Sequence, residues 1–547
     1  MKRRQLLLSA ATAAPCLVIG KTGEAGVVDY ESPYEEIDWD TWETVDSMSH
    51  QHQGTTDKSR EIFHAMGYRH FAFSNYYPSA PTLLSDSFRE THADVTWAPN
   101  AEQHSFLDSS LHFNSLGSRL ETGFGKYVSS AERKTAPINH RFEGIRIFDK
   151  VRPWEGVYRL DIKLKRLANS SDETEAATLI IDGAHACDRK EDFADKGPVN
   201  NRSIAAENHT IYLRTQSDSI EIQLNFDSEK LEVTQLRLMQ GSNRPWRDVF
   251  LAALDGETRE GESVGGLIDP EGGGITLNHP GGKMDTYLEM LDFDSRVLGL
   301  EVWNQLTSGF GSNGKSNPLT KPPSHFYQLW DEVLSTGRRC WGFFVKDHNT
   351  YGRGRNILMA PPLASKSSEE RESTLLRAYR KGAFFGAVSS IASDEEGNVV
   401  APFDQSNFRF RHIRLRRDGS GKAVAVEVAV AGNDEKLRPN IQIRFVTDQG
   451  IVSIVNGSEG EFTIPSEKED SSPPRFIRVE AFAYPKTHNQ GELLHHETMS
   501  KLDVAEISQI RDKYAKKGAT SFGSSAQLRT PIPIVDQIFS QPILRKT

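Results

Sequence analysis

Cysteine is nearly missing: the chain holds 3 in 547 residues, at positions 16, 187 and 340. That excludes a disulfide-stapled scaffold and any site built on clustered thiolates. Cys187 and Cys340 lie far apart in sequence and read as two buried thiols. Positive charge is in deficit too. A formal net charge of −10 argues against a nucleic-acid partner, whose phosphates would be repelled. Long hydrophobic runs are absent after the N-terminus, and no later segment approaches the ~20 apolar residues of a membrane span.

What is present suits a soluble globular chain of roughly two to four domains. Hydrophobic residues make up 37% and charged residues 26%. Residues 1–26 open with Lys2-Arg3-Arg4 and continue into a short, alanine-rich apolar run over 6–19. This resembles a twin-arginine signal peptide and predicts a periplasmic or secreted protein. Pro15 before Cys16 fits a lipid-attachment box poorly, so simple export is expected rather than a lipoprotein.

Strand and helix patterns alternate over 27–120: "DKSREIFHAMG" (57–67) has helical spacing closed by Gly67, and "YRHFAFSN" (68–75) follows as a strand. Between 121 and 243 the pattern changes to period-two strands such as "VYRLDIKL" and "IEIQLNF", which predicts an antiparallel β-sandwich. Alternation returns over 244–395, with strands "GITLNHP", "VLGLEVWN" and "CWGFFV" and the helix "SHFYQLWDEVLSTG" (324–337). Residues 396–500 are again all strand and predict a small C-terminal β-domain. Residues 501–547 read as a peripheral helix and tail. The simplest account is an α/β domain interrupted by the sandwich.

"SMSHQHQG" (47–54) places His50 and His52 one residue apart. With 17 His in the chain, chance alone gives roughly 0.5 such triplets, so the pair means little by itself. Partners of the right chemistry recur, however. Glu102, His104 and His112 lie in "APNAEQHSFLDSSLHFNSLGS" (98–118), His279 ends "GITLNH", and Glu301 and Asn304 close "VLGLEVWN". Asp347 and His348 follow "CWGFFVK". Most fall at carboxyl ends of expected strands, where parallel α/β folds build their sites.

In order, "HQHQG", "AEQHSF…LHFNSLG", "NHP", "LEVWN" and "WDEVLSTGRRCWGFFVKDHN" resemble the motifs of the polymerase-and-histidinol-phosphatase (PHP) superfamily. The resemblance covers roughly residues 45–118 and 245–390 and rests on motif order. It implies a distorted seven-stranded (β/α) barrel, here interrupted by the sandwich and followed by the C-terminal β-domain. It also implies two divalent ions, zinc, manganese or iron, and hydrolysis of a phosphoester by a metal-bound hydroxide. His50, His52, Glu102 and Asp347 would surround one ion. Glu102, His112 and His279 would surround the second, with Glu102 bridging. Glu102 and Asp347 are thereby the catalytic carboxylates, while His104, Glu301 and His348 are further candidates for ligation or support. Family members usually carry T-D-H where this chain has Ser74-Asn75-Tyr76. The closing D-x-H aligns to Asp347-His348-Asn349, and no histidine occurs between 53 and 63. These three places supply the third ion in trinuclear members, so a dinuclear site is expected.

The donor chemistry agrees, since His nitrogen and carboxylate oxygen suit those metals. Developing phosphoryl charge would also need cations; Lys346, Arg353 and Arg355 are candidates near the closing motif, and Tyr76 is a candidate substrate contact. The resemblance implies a small-molecule or polymer phosphoester as substrate, glycan-linked ones included. Two rival readings are a metal hydrolase of an amide or carbohydrate ester, and a catalytically silent polymer-binding scaffold. "FRFRHIRLRR" (408–417) reads as an edge strand with a solvated basic face rather than a polyanion strip. The glycines of "PEGGGITLNHPGG" precede a strand, so phosphate-loop geometry fails there.

Overall fold

The computed structural model of the chain describes residues 29–52, 57–74, 84–100, 102–104, 112–117, 126–130, 138–143, 146–147, 150–151, 157–168, 175–188, 194–217, 219–241, 246–255, 268, 271–280, 284–304, 324–347, 354–389, 407–436, 438–466, 473–484 and 536–546. The expected signal segment 1–26 lies outside them. No helix among the described residues is long and apolar enough to cross a membrane.

The expectation of a seven-stranded (β/α) barrel is corrected by the sheet topology. Of the described residues, 53% are strand and 17% helix, and most strand pairs are antiparallel. Parallel pairing joins Glu43–Met48 to His70–Phe71 and on to Thr96–Trp97, and joins Val297–Asn304 to Gly274–Asn278 and Trp341–Val345. Instead of closing, the ladder on Glu43–Met48 continues antiparallel through Gly354–Ala360, Phe384–Val388, Asp536–Ser540 and Phe476–Tyr484, part of an 11-stranded sheet. Asn440–Thr447 and Gly450–Asn456 extend it beyond Phe476–Tyr484. A separate C-terminal β-domain is therefore not what these strands form. The segment read as a tail contributes a buried strand at Asp536–Ser540 and a half-buried one at Ile543–Arg545. The physical reason is that short buried runs such as "VLGLEVWN", in which all eight residues are buried, announce a strand but not its neighbours.

A 6-stranded sheet carries Glu102–His104, His112–Leu116, Gly274–Asn278 and Val297–Asn304 in neighbouring positions. Eight of the described strands between 126 and 241 form an antiparallel sheet, and Arg146–Ile147 with Lys150–Val151 form a separate two-stranded one. The larger sheet's long strand Ala176–Asp188 bonds Ser219–Asn225 at one end and Asn208–Thr215 at the other. Alternation puts Leu160, Ile162, Leu179, Ile181, Ile222 and Leu224 into a core of its own. Arg409–Arg417, the basic segment, pairs with Ala423–Ala431 in a 3-stranded sheet. There Arg416 pairs with Glu427 and Glu461, and Arg417 with Asp29 and Glu35.

Helix Ser368–Lys381 has both of its ends specified by sequence. Ser367 and Glu370 form a reciprocal capping box, and Gly382 stops the helix in the left-handed region at φ 73°. Buried Leu375, Leu376 and Tyr379 face the sheets. Gly272 lets this helix approach, since a Cβ there would lie 2.7 Å from the Leu376 Cβ. The Gly273 amide donates to the Leu376 carbonyl (2.9 Å), and Arg380 Nε to the Gly273 carbonyl (2.9 Å). The helix thus fixes the start of Gly274–Asn278, the strand that delivers His279.

Cys187 and Cys340 are free and buried, and burial pushes both thiols up to about 12. Close packing is as tight at Gly386, where a Cβ would sit 1.9 Å from the Phe344 ring. Gly386→Ala is expected to cost about 1–3 kcal/mol through overpacking, read as a lowered urea midpoint with unchanged slope.

Candidate metal centre

Each candidate ligand is delivered by a strand end. Strand Glu43–Met48 runs on into Ser49–Gln51, whose path is held by three asparagines. The Ser49 carbonyl accepts from Asn100 Nδ2 (2.7 Å) and Asn114 Nδ2 (2.9 Å), and Ser49 Oγ from Asn356 Nδ2 (3.0 Å). Ser74 Oγ accepts from the Gln51 amide at 3.0 Å. Backbone bonds lace His50 and His52 to Asp347: the Asp347 amide donates to the His50 carbonyl (3.0 Å) and the His52 amide to the Asp347 carbonyl (3.1 Å). Residues nearly 300 positions apart are thereby adjacent. Glu102 and His112 come from neighbouring strands, with Glu102 opposite Asn114 in register and Asn278 opposite His112.

Two groups of donors result. His50 Nε2, His52 Nε2, Asp347 Oδ1 and Glu102 Oε2 form the first. Its measured edges are 3.1 Å between the imidazoles, 3.4 and 3.3 Å from them to Asp347, and 3.5 and 2.9 Å from them to Glu102. In the second, Glu102 Oε1 lies 3.3 Å from His112 Nδ1 and 3.3 Å from His279 Nε2, which are 3.2 Å apart. Tetrahedral coordination at bond lengths of about 2.0–2.1 Å requires ligand–ligand edges of about 3.3–3.4 Å. In the first group the five edges that involve the two imidazoles lie near that length, and in the second all three do. Glu102 turns one oxygen to each.

The electrostatics point the same way. Glu102, Glu301 and His50 side chains are fully buried and Asp347 nearly so. Burial alone would depress the His50 imidazole, but the carboxylates of Asp347, Glu102 and Glu301 raise it well above the usual histidine range. Burial is likewise outweighed at His279, which the Glu102 hydrogen bond and nearby carboxylates push up to about 8. Asp347, despite burial, is held at about 2 by the neighbouring histidines. The pocket favours positive charge. His112 and His279 keep 24% and 27% of their side chains exposed, against 6% or less for the other four residues, so solvent reaches the cluster from the second group.

Glu301 spans the centre from behind. One oxygen meets His50 Nδ1 in a short hydrogen bond, and the other accepts from the His279 amide (2.5 Å) and Asn304 Nδ2 (2.9 Å). By engaging His50 Nδ1, the Glu301 carboxyl group turns His50 Nε2 toward the first donor group, the orientation a ligating imidazole needs. Asn304 also donates to Asp347 Oδ2 (3.2 Å), while Asn278 Nδ2 donates to Glu102 Oε1 (3.0 Å). Glu301→Gln is expected to weaken metal affinity about 10–100-fold, measured by competition with a chromophoric chelator. Backbone conformation marks the place as well. Among the described residues, positive φ at non-glycine positions occurs at Asn201 (52°), His279 (24°) and Asp347 (52°), two of them site residues.

The six residues His50, His52, Glu102, His112, His279 and Asp347 are thus brought together, with Glu301 beside them. Lys346 and Arg355 are not. Lys346 is buried on the other side of the strand end, its ammonium 4.5 Å from the Tyr68 ring centroid, and burial pushes its pKa well below the lysine range. Arg355 is buried against Asp46, its Nε donating at 3.1 Å. His104 lies opposite His112 in backbone register. Tyr76, His348 and Arg353 lie outside the described residues, as does the side chain of His104. Asn100, Asn114 and Asn278 escaped sequence reasoning. For Asn114 and Asn278 the signal is an asparagine within the buried motifs "HFN" and "NHP", where an unpaired amide would be costly; Asn100, in "APN", lies outside any strand.

No family model matches the chain, and no curated protein matches it. Among solved structures the chain is similar to the N-terminal CBM22-1–CBM22-2 tandem domain of Xyn10C from Paenibacillus barcinonensis. The two share 8% identity, with 78% of this chain and 98% of that chain covered at a TM-score of 0.13. So low a score carries no argument about fold or function.

Proposed function

We propose that this protein is an exported metal-dependent hydrolase whose reacting centre lies between the two donor groups that share Glu102. The observation that carries this is the set of 2.9–3.5 Å edges that His50 and His52 make with each other, with Glu102 and with Asp347, beside the 3.2–3.3 Å triangle of Glu102, His112 and His279. The residues fit zinc, manganese or iron. Such ions, when bound, supply Lewis acidity and a water-derived nucleophile at neutral pH. The chain's own contribution is positional. Glu301 orients His50, Asn278 and Asn304 orient Glu102 and Asp347, and the half-open His112–His279 side admits substrate while the His50 side excludes water.

A phosphoester is the proposed substrate, on the strength of the ordered PHP-like motifs. Metal analysis of purified protein followed by assay on phosphomonoesters, phosphodiesters and acylated sugars tests this. About two ions per chain at the centre and turnover of a phosphoester are expected. Fewer than one ion overturns the hydrolase reading, and turnover confined to acylated sugars overturns the phosphoester.

A further inference from the structure

We propose a second, separate transition-metal site on the surface, formed by Glu61, His64 and His92. Helix Asp57–Ala65 places Glu61 and His64 three residues apart, on one face. His92 caps the C-terminal end of helix Asp86–Thr91. The two helices are held together from beneath by Phe63, Phe71, Phe73 and Phe88, which share one buried cluster. This packing brings the His64 and His92 rings to 4.0 Å between centroids. His92 Nε2 lies 2.8 Å from Glu61 Oε1, and one donor atom from each of the three residues lies within 4.8 Å of the others.

Tetrahedral coordination needs edges of about 3.3–3.4 Å, so donors that already lie within 4.8 Å of one another must close by about 1.5 Å at most. The three donors are thus within a small side-chain rotation of coordinating one ion. Two imidazoles and a carboxylate suit zinc, copper or nickel, and they disfavour calcium and magnesium, which prefer all-oxygen shells. His64 already has the support that ligating histidines use: its Nε2 lies 3.2 Å from Asp94 Oδ2, and Arg69 Nε holds that carboxylate at 2.6 Å. Exposure differs from that of the buried centre. The side chains of Glu61, His64 and His92 are 52%, 21% and 13% exposed, so an ion would reach them from solvent and complete its shell with water. Bound there, it would clamp two helices that otherwise meet through aromatic packing and surface ion pairs.

Zinc titration against a chromophoric chelator, with metal analysis after gel filtration, reads the site directly. Wild-type protein is expected to retain one zinc per chain more than the His64→Ala/His92→Ala double variant, with matching circular dichroism. Glu102→Gln, which disables the buried centre, is expected to keep this ion, so failure of the hydrolase reading and failure of this site give different counts. Glu61→Gln is expected to lose this zinc at limiting concentrations while folding normally. Equal zinc retention by wild-type and the double variant overturns the proposal. If the double variant does not fold, unchanged affinity in Glu61→Gln overturns it instead.

Discussion

Glu102→Gln is expected to release the metal of the buried centre and abolish turnover together. Glu102 is fully buried, and its two oxygens face separate donor groups. An amide keeps the shape but offers one neutral oxygen, so it can serve neither group well. Replacing residues that merely orient a ligand costs about 10–100-fold in metal affinity, and loss of the shared carboxylate should exceed ~100-fold. Metal content by elemental analysis and turnover on the best substrate are measured side by side. Full metal and full turnover in this variant would refute the proposed centre.

Chelation should lower stability, and by an amount that grows with pH. At metal concentrations ~1000-fold above the dissociation constant, bound ion adds about 4 kcal/mol, which a chelator removes. The metal-free fold then relies on protons to offset its buried carboxylates. His279 stands at about 8 in the fold against an ordinary 6.5. A histidine whose pKa is raised by folding contributes stability fully present below about 6.5 and lost as pH rises through about 8. For His279 that loss is about 1–2 kcal/mol after discounting its exposed edge. Asp347, lowered to about 2 from 3.8, contributes stability present above 3.8 and lost as pH falls through about 2. The chelated protein should thus be firmest between about pH 4 and 6.5. Metal-loaded protein should show the opposite trend across neutrality, because protons compete for the same donors. Urea midpoints at pH 5.5 and 8.5, with and without chelator, would expose an error here if chelation changed neither.

How much of this was legible in the sequence differs between site and fold. The six clustered side chains could be named because His and carboxylate types recur at the ends of buried runs, and end positions are what strands put into a cluster. Glu301 was visible as a carboxylate closing "VLGLEVWN", but its task of orienting His50 depends on an angle no spacing encodes. Lys346 and Arg355 misled because proximity along the chain says nothing of side: Lys346 follows a strand whose neighbouring residues face opposite ways. The barrel expectation failed for a related reason. Alternation of strand and helix predicts parallel crossovers, yet Gly354–Ala360 returns antiparallel on Glu43–Met48, and residues beyond 440 keep adding to that edge. Period-two patterning in the 121–243 stretch was readable from residues such as Ile220, Ile222 and Leu224 because one face meets a core and the other water.

Strand Asp536–Ser540 fits between Phe384–Val388 and Phe476–Tyr484, both synthesised well before it. A nascent chain therefore carries an open slot in its largest sheet until residue 540 emerges. At usual elongation speeds of about 5–20 residues per second, the apolar edge of Phe384–Val388 waits roughly 7–30 s for its partner. During that interval it is a template for pairing with other chains, so the growing polypeptide needs shelter on the ribosome.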